Sequence, residues 1–252
     1  MNTTTPQNTA ICRTHLAADH VLMAPESHVP IIFPGWNNCS SVVMISPELG
    51  AKFSQLLVTC SVDAHLTPLR DTDQTFVMVL EGQATISTPT GQWSCQQDDY
   101  VYLPAANSWR IHTPAAATLL MFCKPYSHTA LPAPDALHNS LSNIPALPFL
   151  GDDGALLQTL LPDTSEFDWG INVFEFVPGA TLPQVEMHFM EHGLYMLDGE
   201  GIYRLGEQWY PVQAGDAIWM APYLPQWFAA TGKHSSRYIY YKEMNRAPIT
   251  AS

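Results

Sequence analysis

The residues best suited to chemistry in this sequence lie close together near position 190: Glu186, His188 and His192. If this segment is an extended strand, its side chains alternate between two faces, so these three share one face and Glu191 points the other way. Two imidazoles and a carboxylate that converge are suitable ligands for a divalent metal ion. The same spacing also occurs on amphipathic strands whose histidines only pack, so the segment alone leaves both interpretations open.

An internal repeat predicts the elements that would position these residues. The stretch 77–109 resembles the stretch 194–227, and corresponding residues are 117 positions apart. The clearest corresponding pairs are Gly82 with Gly199 and Asp99 with Asp216. A constant offset over such a length indicates that one structural unit has been duplicated.

Each copy of the repeat is predicted to be a set of β-strands. The chain has 21 prolines and 14 glycines, which separate short runs rich in β-branched and aromatic residues, as in sandwiches and barrels. In the second copy, a Gly215-Asp216 turn leads into the alternating apolar residues Ile218 and Met220, and then Pro222. A strand, a glycine turn, a second strand and such a Gly-Asp unit are the signature of a cupin, a small double-sheet jelly roll.

The predicted fold is therefore all-β, a bicupin made of two double-stranded β-helix (jelly-roll) barrels. We expect an N-terminal cupin without a metal site at residues 1–124 and a C-terminal metal-binding cupin at residues 166–252. Between them, residues 125–165 form a proline-rich connector. Its composition predicts an irregular segment, apart from one short strand or helical turn near residues 155–161.

The ligand pattern of cupins identifies a fourth candidate ligand. Their first motif runs His-x-His-x(3,4)-Glu-x6-Gly, and their second motif adds a ligand, usually His, at a fixed distance after its own glycine. Aligned on Gly199 and Gly215, the four ligand positions hold Glu186, His188, His192 and Gln226. Only His188 has the usual identity, but all four side chains can bind a metal ion, which favours the metal-site interpretation.

The first copy of the repeat lacks this ligand set. The same alignment places Leu69, Asp71, Thr75 and Trp109 at the four positions. Because one carboxylate cannot hold an ion alone, we expect the N-terminal barrel to bind no metal. His65 is close in the sequence but has no evident partner, so we expect its role to be structural.

The donor set also favours one kind of ion. A carboxylate, two imidazoles and an amide oxygen, without a thiolate, suit an octahedral ion such as Mn²⁺ better than tetrahedral zinc, while Fe²⁺, Co²⁺ and Ni²⁺ remain open. Since Gln226 is neutral, the ligands carry a formal charge of only −1, and the bound ion keeps a net positive charge that would attract a small anionic substrate. Ferrous oxygenase chemistry is not excluded by this set.

Three longer segments of the chain carry a more specific resemblance. Residues 34–59, 167–193 and 201–246 resemble the (S)-ureidoglycine aminohydrolase family of purine (allantoin) degradation. The resemblance covers most of the chain from about residue 20, and is loose in the connector. The combination of Glu-x-His-x3-His, Pro-Gln-Trp and Tyr-Tyr-Lys is much more specific than the cupin pattern.

This resemblance implies hydrolysis of (S)-ureidoglycine to (S)-ureidoglycolate and ammonia, with one Mn²⁺ per chain on the four ligands named above. It also implies that Tyr203, Tyr238 and Lys242 contact the substrate. Independently, alternation along the last predicted strand places three of its side chains on one face: Tyr238, Tyr240 and Lys242. A lysine on this face could hold a carboxylate or donate a proton. Tyr203 could equally fill the barrel. The first domain departs from some relatives by having Gln74 where they carry Glu.

Two other classes of function remain open at this point. One is another metal-cupin enzyme that acts on a small organic acid, such as a dioxygenase or a decarboxylase. The other is a non-catalytic bicupin that binds a small molecule. Dependence on oxygen and the identity of the products would distinguish the other metal-cupin enzymes from an aminohydrolase. Ligand binding without turnover would identify a non-catalytic binding protein.

Composition limits the partners and the compartment. The net charge of −13 argues against binding to nucleic acid, and no apolar run reaches the length of a membrane span. The N-terminus lacks the pattern of a secretory signal, and the five cysteines lack a CxxC spacing. We therefore expect a cytoplasmic protein without disulfides. Exposed strand edges in such barrels often pair, which predicts a homo-oligomer.

Overall fold

The computed structural model describes residues 12–127 and 131–244. Within these two ranges the chain forms twenty β-strands, and its helical segments are three 3-10 turns at Pro25–Ser27, Pro47–Leu49 and Leu141–Asn143. No helix in the described ranges has the length and apolar character needed to cross a membrane. The predicted all-β class is confirmed.

The strands divide between the two halves of the chain. The first ten are β1 (His15–Leu16), β2 (His20–Met23), β3 (Asn37–Ile45), β4 (Ser54–Leu66), β5 (Asp73–Glu81), β6 (Gln83–Thr88), β7 (Gly91–Gln96), β8 (Asp99–Leu103), β9 (Arg110–Thr113) and β10 (Ala117–Pro125). The last ten are β11 (Leu137–Ser140), β12 (Leu147–Phe149), β13 (Asp152–Thr159), β14 (Trp169–Phe176), β15 (His192–Asp198), β16 (Glu200–Leu205), β17 (Gln208–Gln213), β18 (Ala217–Met220), β19 (Gln226–Ala230) and β20 (Ser236–Glu243).

The same strand arrangement occurs twice, as the repeat predicted. In the N-terminal barrel, β8-β5-β10-β4 lie side by side and β7-β6-β9 form the other face. In the C-terminal barrel, β18-β15-β20-β14 and β17-β16-β19 take the corresponding places. Two jelly-roll barrels of this kind form a bicupin, so the predicted fold is confirmed.

The turns between repeated strands explain why the two copies share particular residues. Gly82 and Gly199 both have positive φ, 78° and 76°, which only glycine adopts readily. A Cβ on Gly82 would also lie 2.3 Å from the carbonyl oxygen of Ala116. Asp99 and Asp216 each accept a hydrogen bond from the backbone N–H three residues earlier, at 3.0 and 2.8 Å, which closes equivalent turns.

The beginning of the chain crosses to the second barrel. Strand β2 pairs with β18, so that Leu22 lies opposite Ile218, and β1 pairs with β2. Arg13 donates hydrogen bonds to both carboxylate oxygens of Asp216, at 2.6 and 2.8 Å. Residues 15–23 therefore cover the edge of the C-terminal sheet, whereas the division at residue 124 had grouped them with the N-terminal barrel.

The connector is more ordered than its proline content predicted. It contributes three strands: β11 pairs with β8 of the N-terminal barrel, while β12 and β13 extend the C-terminal sheet beside β14. Strand β12 contains Pro148 and is the last strand of its sheet. Proline is tolerated there because an edge strand needs no backbone donor on its open side.

The two barrels pack against each other through their larger sheets. Alternation along β5 shows the division: Phe76 and Met78 face the other barrel, while Val77 and Val79 face the interior of their own. From the other side, Trp169 joins the same aromatic cluster between the barrels. Burial of this shared face makes the two barrels one packed unit.

A buried polar network lies beside this cluster. Lys124 forms an ion pair with Asp168, and both side chains are almost fully buried. The Asp168 carboxylate also accepts hydrogen bonds from the Gln74 amide and from the Ser127 hydroxyl, at 2.5 and 2.9 Å. The Tyr102 hydroxyl in turn donates to the Gln74 oxygen at 3.1 Å. An amide at position 74 can therefore donate to Asp168, whereas a carboxylate would repel it.

Candidate metal and substrate site

The candidate ligands lie at one end of the C-terminal barrel. Glu186 and Gln226 form an isolated β-bridge, with reciprocal backbone hydrogen bonds of 2.9 Å. The carbonyl of His188 accepts a hydrogen bond of 2.7 Å from the backbone of Tyr223, and β15 begins only at His192. The prediction of one extended strand across residues 186–192 is therefore wrong. Two tertiary backbone contacts, rather than a strand, position Glu186 and His188.

The ligand side chains nevertheless gather on one side. The ring centroids of His188 and His192 are 4.6 Å apart. The Gln226 amide lies between two groups: its Nε2 is 3.3 Å from Nε2 of His188, and its Oε1 accepts a hydrogen bond of 3.3 Å from the Tyr203 hydroxyl. Rotation of the amide by about 180° would exchange its oxygen and nitrogen and turn the oxygen towards His188, because the two atoms are nearly the same size.

A small cavity opens among these residues. Its walls are Glu186, His192, Leu194, Tyr203, Met220, Gln226, Tyr238 and Tyr240. The three tyrosines come from β16 and β20, where their side chains point into the barrel. The sequence had indicated eight site residues in this barrel, from the ligand motif, from alternation along the last strand and from the family resemblance. The structure brings seven of them together: six line the cavity, and His188 contacts His192.

The eighth of these residues, Lys242, lies at the end of β20 directly opposite His192 on β15. On its other side it pairs with Gly170, where an added Cβ would lie 3.3 Å from its Cε. Its half-buried side chain lines a larger neighbouring cavity together with Asn172 and Trp169. Its charge still acts on the pKa of all three ionisable candidate ligands, Glu186, His188 and His192.

Burial sets the protonation of the site. It lowers the pKa of His192 well below its usual range, and the charges of His188 and Lys242 lower it further. Burial likewise lowers the pKa of His188. Both imidazoles are therefore neutral at neutral pH, which is the form that binds a metal ion. Burial raises the pKa of Glu186, and Lys242 opposes that shift by favouring the carboxylate.

The donors present suit a divalent ion. Nε2 of His192 is buried and has no hydrogen-bond partner, and an orphaned buried nitrogen of this kind requires a reason. In the described residues, the possible ligand atoms do not all lie within 4.8 Å of one another in the group Glu186, His188 and His192. Binding of an ion would therefore draw these three side chains closer together. Two imidazoles, a carboxylate and an amide are suitable donors for such an ion and leave two positions of an octahedral ion open.

Glu191 points away from this site, as predicted, and has a separate role. Its two carboxylate oxygens each accept a hydrogen bond of 3.1 Å from the backbone N–H of Lys52, which belongs to the N-terminal half. Trp219 and Tyr241 donate to the same carboxylate at 3.3 and 3.2 Å. This side chain therefore joins the two barrels directly behind the candidate ligand His192.

The neighbouring Gly193 lets an aromatic ring of the N-terminal half approach β15 closely at the same contact between the barrels. A Cβ there would lie 2.1 Å from Cζ of Phe53, so only glycine lets this aromatic ring pack against β15.

Sequence reasoning missed one polar residue beside the site. Asn172 on β14 is buried, pairs opposite Tyr240 and has a side-chain nitrogen without a hydrogen-bond partner. Its signal in the sequence was a single amide among the inward positions of an otherwise apolar strand, followed by Phe174 and Phe176.

The four corresponding positions of the first barrel have a different environment. Thr75 and Trp109 are buried, and Trp109 belongs to the apolar interior cluster of that barrel. Leu69 and Asp71 are exposed to solvent. These four side chains do not form a common polar site.

Comparison with known proteins relates the chain to one family. The cupin domain family model matches residues 172–240, which form most of the C-terminal barrel. The probable (S)-ureidoglycine aminohydrolase of Oryza sativa subsp. japonica is 38% identical over 232 residues, which cover 92% of this chain and 75% of the rice protein. The (S)-ureidoglycine aminohydrolase of Arabidopsis thaliana is also 38% identical, over 92% of this chain and 78% of that protein. The chain belongs to the (S)-ureidoglycine aminohydrolase family.

A solved structure supports the fold of this family member. The crystal structure of protein Ylba from E. coli superposes with a TM-score of 0.84 at 27% identity, and covers 94% of this chain and 96% of that one. Because nearly the whole of each chain is matched, both barrels and the connector share one architecture. The resemblance inferred from the motifs is confirmed, and membership in the (S)-ureidoglycine aminohydrolase family makes the protein a hydrolase.

Proposed function

We propose that the protein hydrolyses (S)-ureidoglycine to (S)-ureidoglycolate and ammonia in purine (allantoin) degradation, using one Mn²⁺ per chain in the C-terminal barrel. The observation that carries the proposal is the buried group of neutral imidazoles, with the unpartnered Nε2 of His192, in a member of this family. Glu186, His188, His192 and Gln226 would hold the ion. When bound, it would supply Lewis acidity and a positive charge for an anionic substrate.

The substrate chemistry defines what the protein side chains must do. The α-carbon of ureidoglycine carries an amine, a ureido nitrogen and a carboxylate. In the reaction, a water oxygen forms a bond to this carbon, the bond to the amine breaks, and the departing nitrogen takes a proton. The site must therefore hold the carboxylate, protonate the leaving amine and admit water to one face only.

Lys242 is suited to hold the carboxylate. Its backbone lies opposite His192, its charge acts on the candidate ligands, and in the described residues it forms no ion pair with an acidic side chain. A charge-assisted hydrogen bond from this ammonium would orient the substrate from the side of the neighbouring cavity.

Tyr203 and Tyr238 are suited to act as donors. Burial raises the pKa of both phenols above the usual value, and the charge of Glu186 raises both further. Each hydroxyl therefore keeps its proton at neutral pH. Such groups donate hydrogen bonds to a substrate nitrogen or oxygen, and are unsuited to remove a proton from water.

The cavity lining supports direct attack by water. Among the described residues that line it, the polar groups are carboxylate, imidazole, amide and phenol, and neither serine nor cysteine is present. A covalent intermediate on a serine or cysteine side chain is therefore not part of the proposed reaction.

Ammonia release tests this proposal. Ureidoglycine is generated in place from allantoate, and the product is analysed by chiral chromatography. Formation of ureidoglycine from allantoate itself releases one ammonia and one carbon dioxide, so a control without the protein is subtracted. Above this control we expect one ammonia per (S)-ureidoglycolate and no oxygen consumption. Oxygen-dependent turnover, or carbon dioxide beyond that of the control, would instead support a dioxygenase or decarboxylase, and thermal stabilisation by the substrate without turnover would support a binding protein.

A further inference from the structure

A second group of potential ligands lies on the outer surface of the N-terminal barrel. Asp63 and His65 are on β4, and His112 is on the adjacent strand β9. Their ligand atoms all lie within 4.8 Å of one another, which no other group of three or more His, Cys, Asp or Glu residues achieves in the described ranges. All three are at least partly exposed to solvent, so an ion in water could reach them.

The distances within this group are those of a shared coordination sphere. Nε2 of His65 is 3.2 Å and Nε2 of His112 is 3.1 Å from the same carboxylate oxygen, Oδ1 of Asp63. Ligand atoms about 2.0–2.1 Å from a tetrahedral zinc ion are separated from each other by roughly 3.3 Å. An ion could therefore replace the two imidazole protons with little movement of the side chains.

The backbone holds the three side chains in this arrangement. His65 and His112 are directly opposite each other in the β4–β9 ladder, and their rings stack at 4.9 Å. Asp63 has a positive φ of 59°, which an Asp tolerates better than most residues and which marks an irregular point in β4. The side-chain amide of Asn38 donates to its carbonyl at 3.0 Å and fixes this conformation.

We propose that Asp63, His65 and His112 form a surface site for Zn²⁺, separate from the site in the C-terminal barrel. Two imidazoles and one carboxylate provide three ligands, and solvent supplies the fourth. The bound ion would link β4 to β9, at the place where β4 leaves its ladder with β10 to pair with β9. The sequence prediction had given His65 no partner, because His112 is distant in the sequence.

The test measures Zn²⁺ bound to the full-length chain by equilibrium dialysis. The variants are His65→Ala and His112→Ala, and the control is His234→Ala, which removes an exposed histidine of the other barrel. Both site variants should bind one Zn²⁺ fewer per chain than the parent and the control at micromolar zinc. The affinity of this site should fall at least about 100-fold, because loss of a ligand costs more than the roughly 10–100-fold loss of an outer partner.

Two further readouts separate this site from the proposed catalytic centre. Since the imidazoles are exposed, the melting temperature of each metal-free variant should match that of the parent, and ammonia release should be unchanged. Equal zinc binding by the parent and both site variants would overturn the proposal. This outcome would leave the function of the C-terminal barrel untouched.

Discussion

The two barrels share a strand arrangement but have opposite interiors. Residues that lie 117 positions apart show this directly: His192, Gln226 and Tyr203 in the C-terminal barrel correspond to Thr75, Trp109 and Ile86 in the N-terminal barrel. The N-terminal interior is an almost continuous apolar cluster, whereas the C-terminal interior opens into a polar cavity. The two barrels therefore share a fold, and a few inward-facing residues decide whether the interior forms a polar site or an apolar core.

The last strand of each barrel extends the contrast. Leu194 lies opposite Tyr240, and the corresponding Val77 lies opposite Met121. By the same register, the inward residues Tyr238, Tyr240 and Lys242 of β20 correspond to Leu119, Met121 and Cys123 of β10. The N-terminal barrel thus lacks both the proposed ligands and the proposed substrate contacts, and contributes instead a large face to the contact between the barrels.

Removal of a proposed metal ligand should have the largest effect on activity. In His192→Ala, metal binding should be lost and ammonia release should fall by at least about 100-fold, because a coordinating imidazole matters more than an outer partner. The matched control is Thr75→Val, at the corresponding position of the first barrel, which should keep the activity of the parent. Equal losses in both variants would show that the two interiors do not differ in role.

Loss of the buried ion pair between the barrels should have the next largest effect, in this case on stability. In Asp168→Ala, the buried Lys124 loses its carboxylate partner, and the free energy of unfolding should fall by about 3–5 kcal/mol. Urea denaturation measures this change. A loss below about 1 kcal/mol would mean that the ion pair contributes little to holding the N-terminal barrel in place.

The same carboxylate should make stability depend on pH. Burial alone would raise the pKa of Asp168, but Lys124 and the donors Gln74 and Ser127 outweigh it and lower the pKa. Because the folded pKa lies below the unfolded value of about 4, this contribution is complete above pH 4 and is lost as the pH falls towards the folded value. The difference in unfolding free energy between the parent and Asp168→Asn should therefore shrink below pH 4, and a constant difference would contradict this assignment.

Lys242→Met separates substrate contact from metal binding. Methionine keeps much of the apolar stem, so the metal content should stay the same, while kcat/KM should fall by about 100-fold as a charge-assisted hydrogen bond is lost. Lys233→Met removes an exposed lysine of the same barrel and is the control. If both variants stay within about twofold of the parent, Lys242 is an ordinary surface residue.

Tyr203→Phe should have the smallest effect of the series. It removes the hydrogen bond from the phenol to the Gln226 amide and leaves the packing of the ring intact. One hydrogen bond of about 0.5–1.5 kcal/mol corresponds to a loss of about 3- to 10-fold in Mn²⁺ affinity or in kcat/KM. An unchanged variant would mean that Tyr203 only fills the barrel.

The sequence predicted those features that depend on local patterns. Gly199 and Gly215 marked the turns, and alignment of the cupin pattern on Gly215 led to Gln226, which the structure brings beside His188. The conformation around His188 was not predictable in this way, because period-two spacing cannot distinguish a strand from an irregular segment held by tertiary hydrogen bonds.

Pairings between distant parts of the chain were also missed. The crossing of β2 to the C-terminal sheet and the approach of His112 to His65 bring together residues far apart in the sequence. Neither leaves a local signal, since each depends on which strand edges the completed barrels expose. The same holds for Asn172, whose isolated amide gains meaning only beside Tyr240.

Restoration of activity by Mn²⁺ tests the central claim most directly. Protein stripped of metal is titrated with Mn²⁺ while ammonia release from ureidoglycine is followed. The rate should rise from near zero, reach a plateau at one Mn²⁺ per chain, and stay near zero throughout in His192→Ala. A full rate in the stripped protein, or a plateau at two ions per chain in His65→Ala, which lacks the proposed surface site, would contradict a single metal centre in the C-terminal barrel.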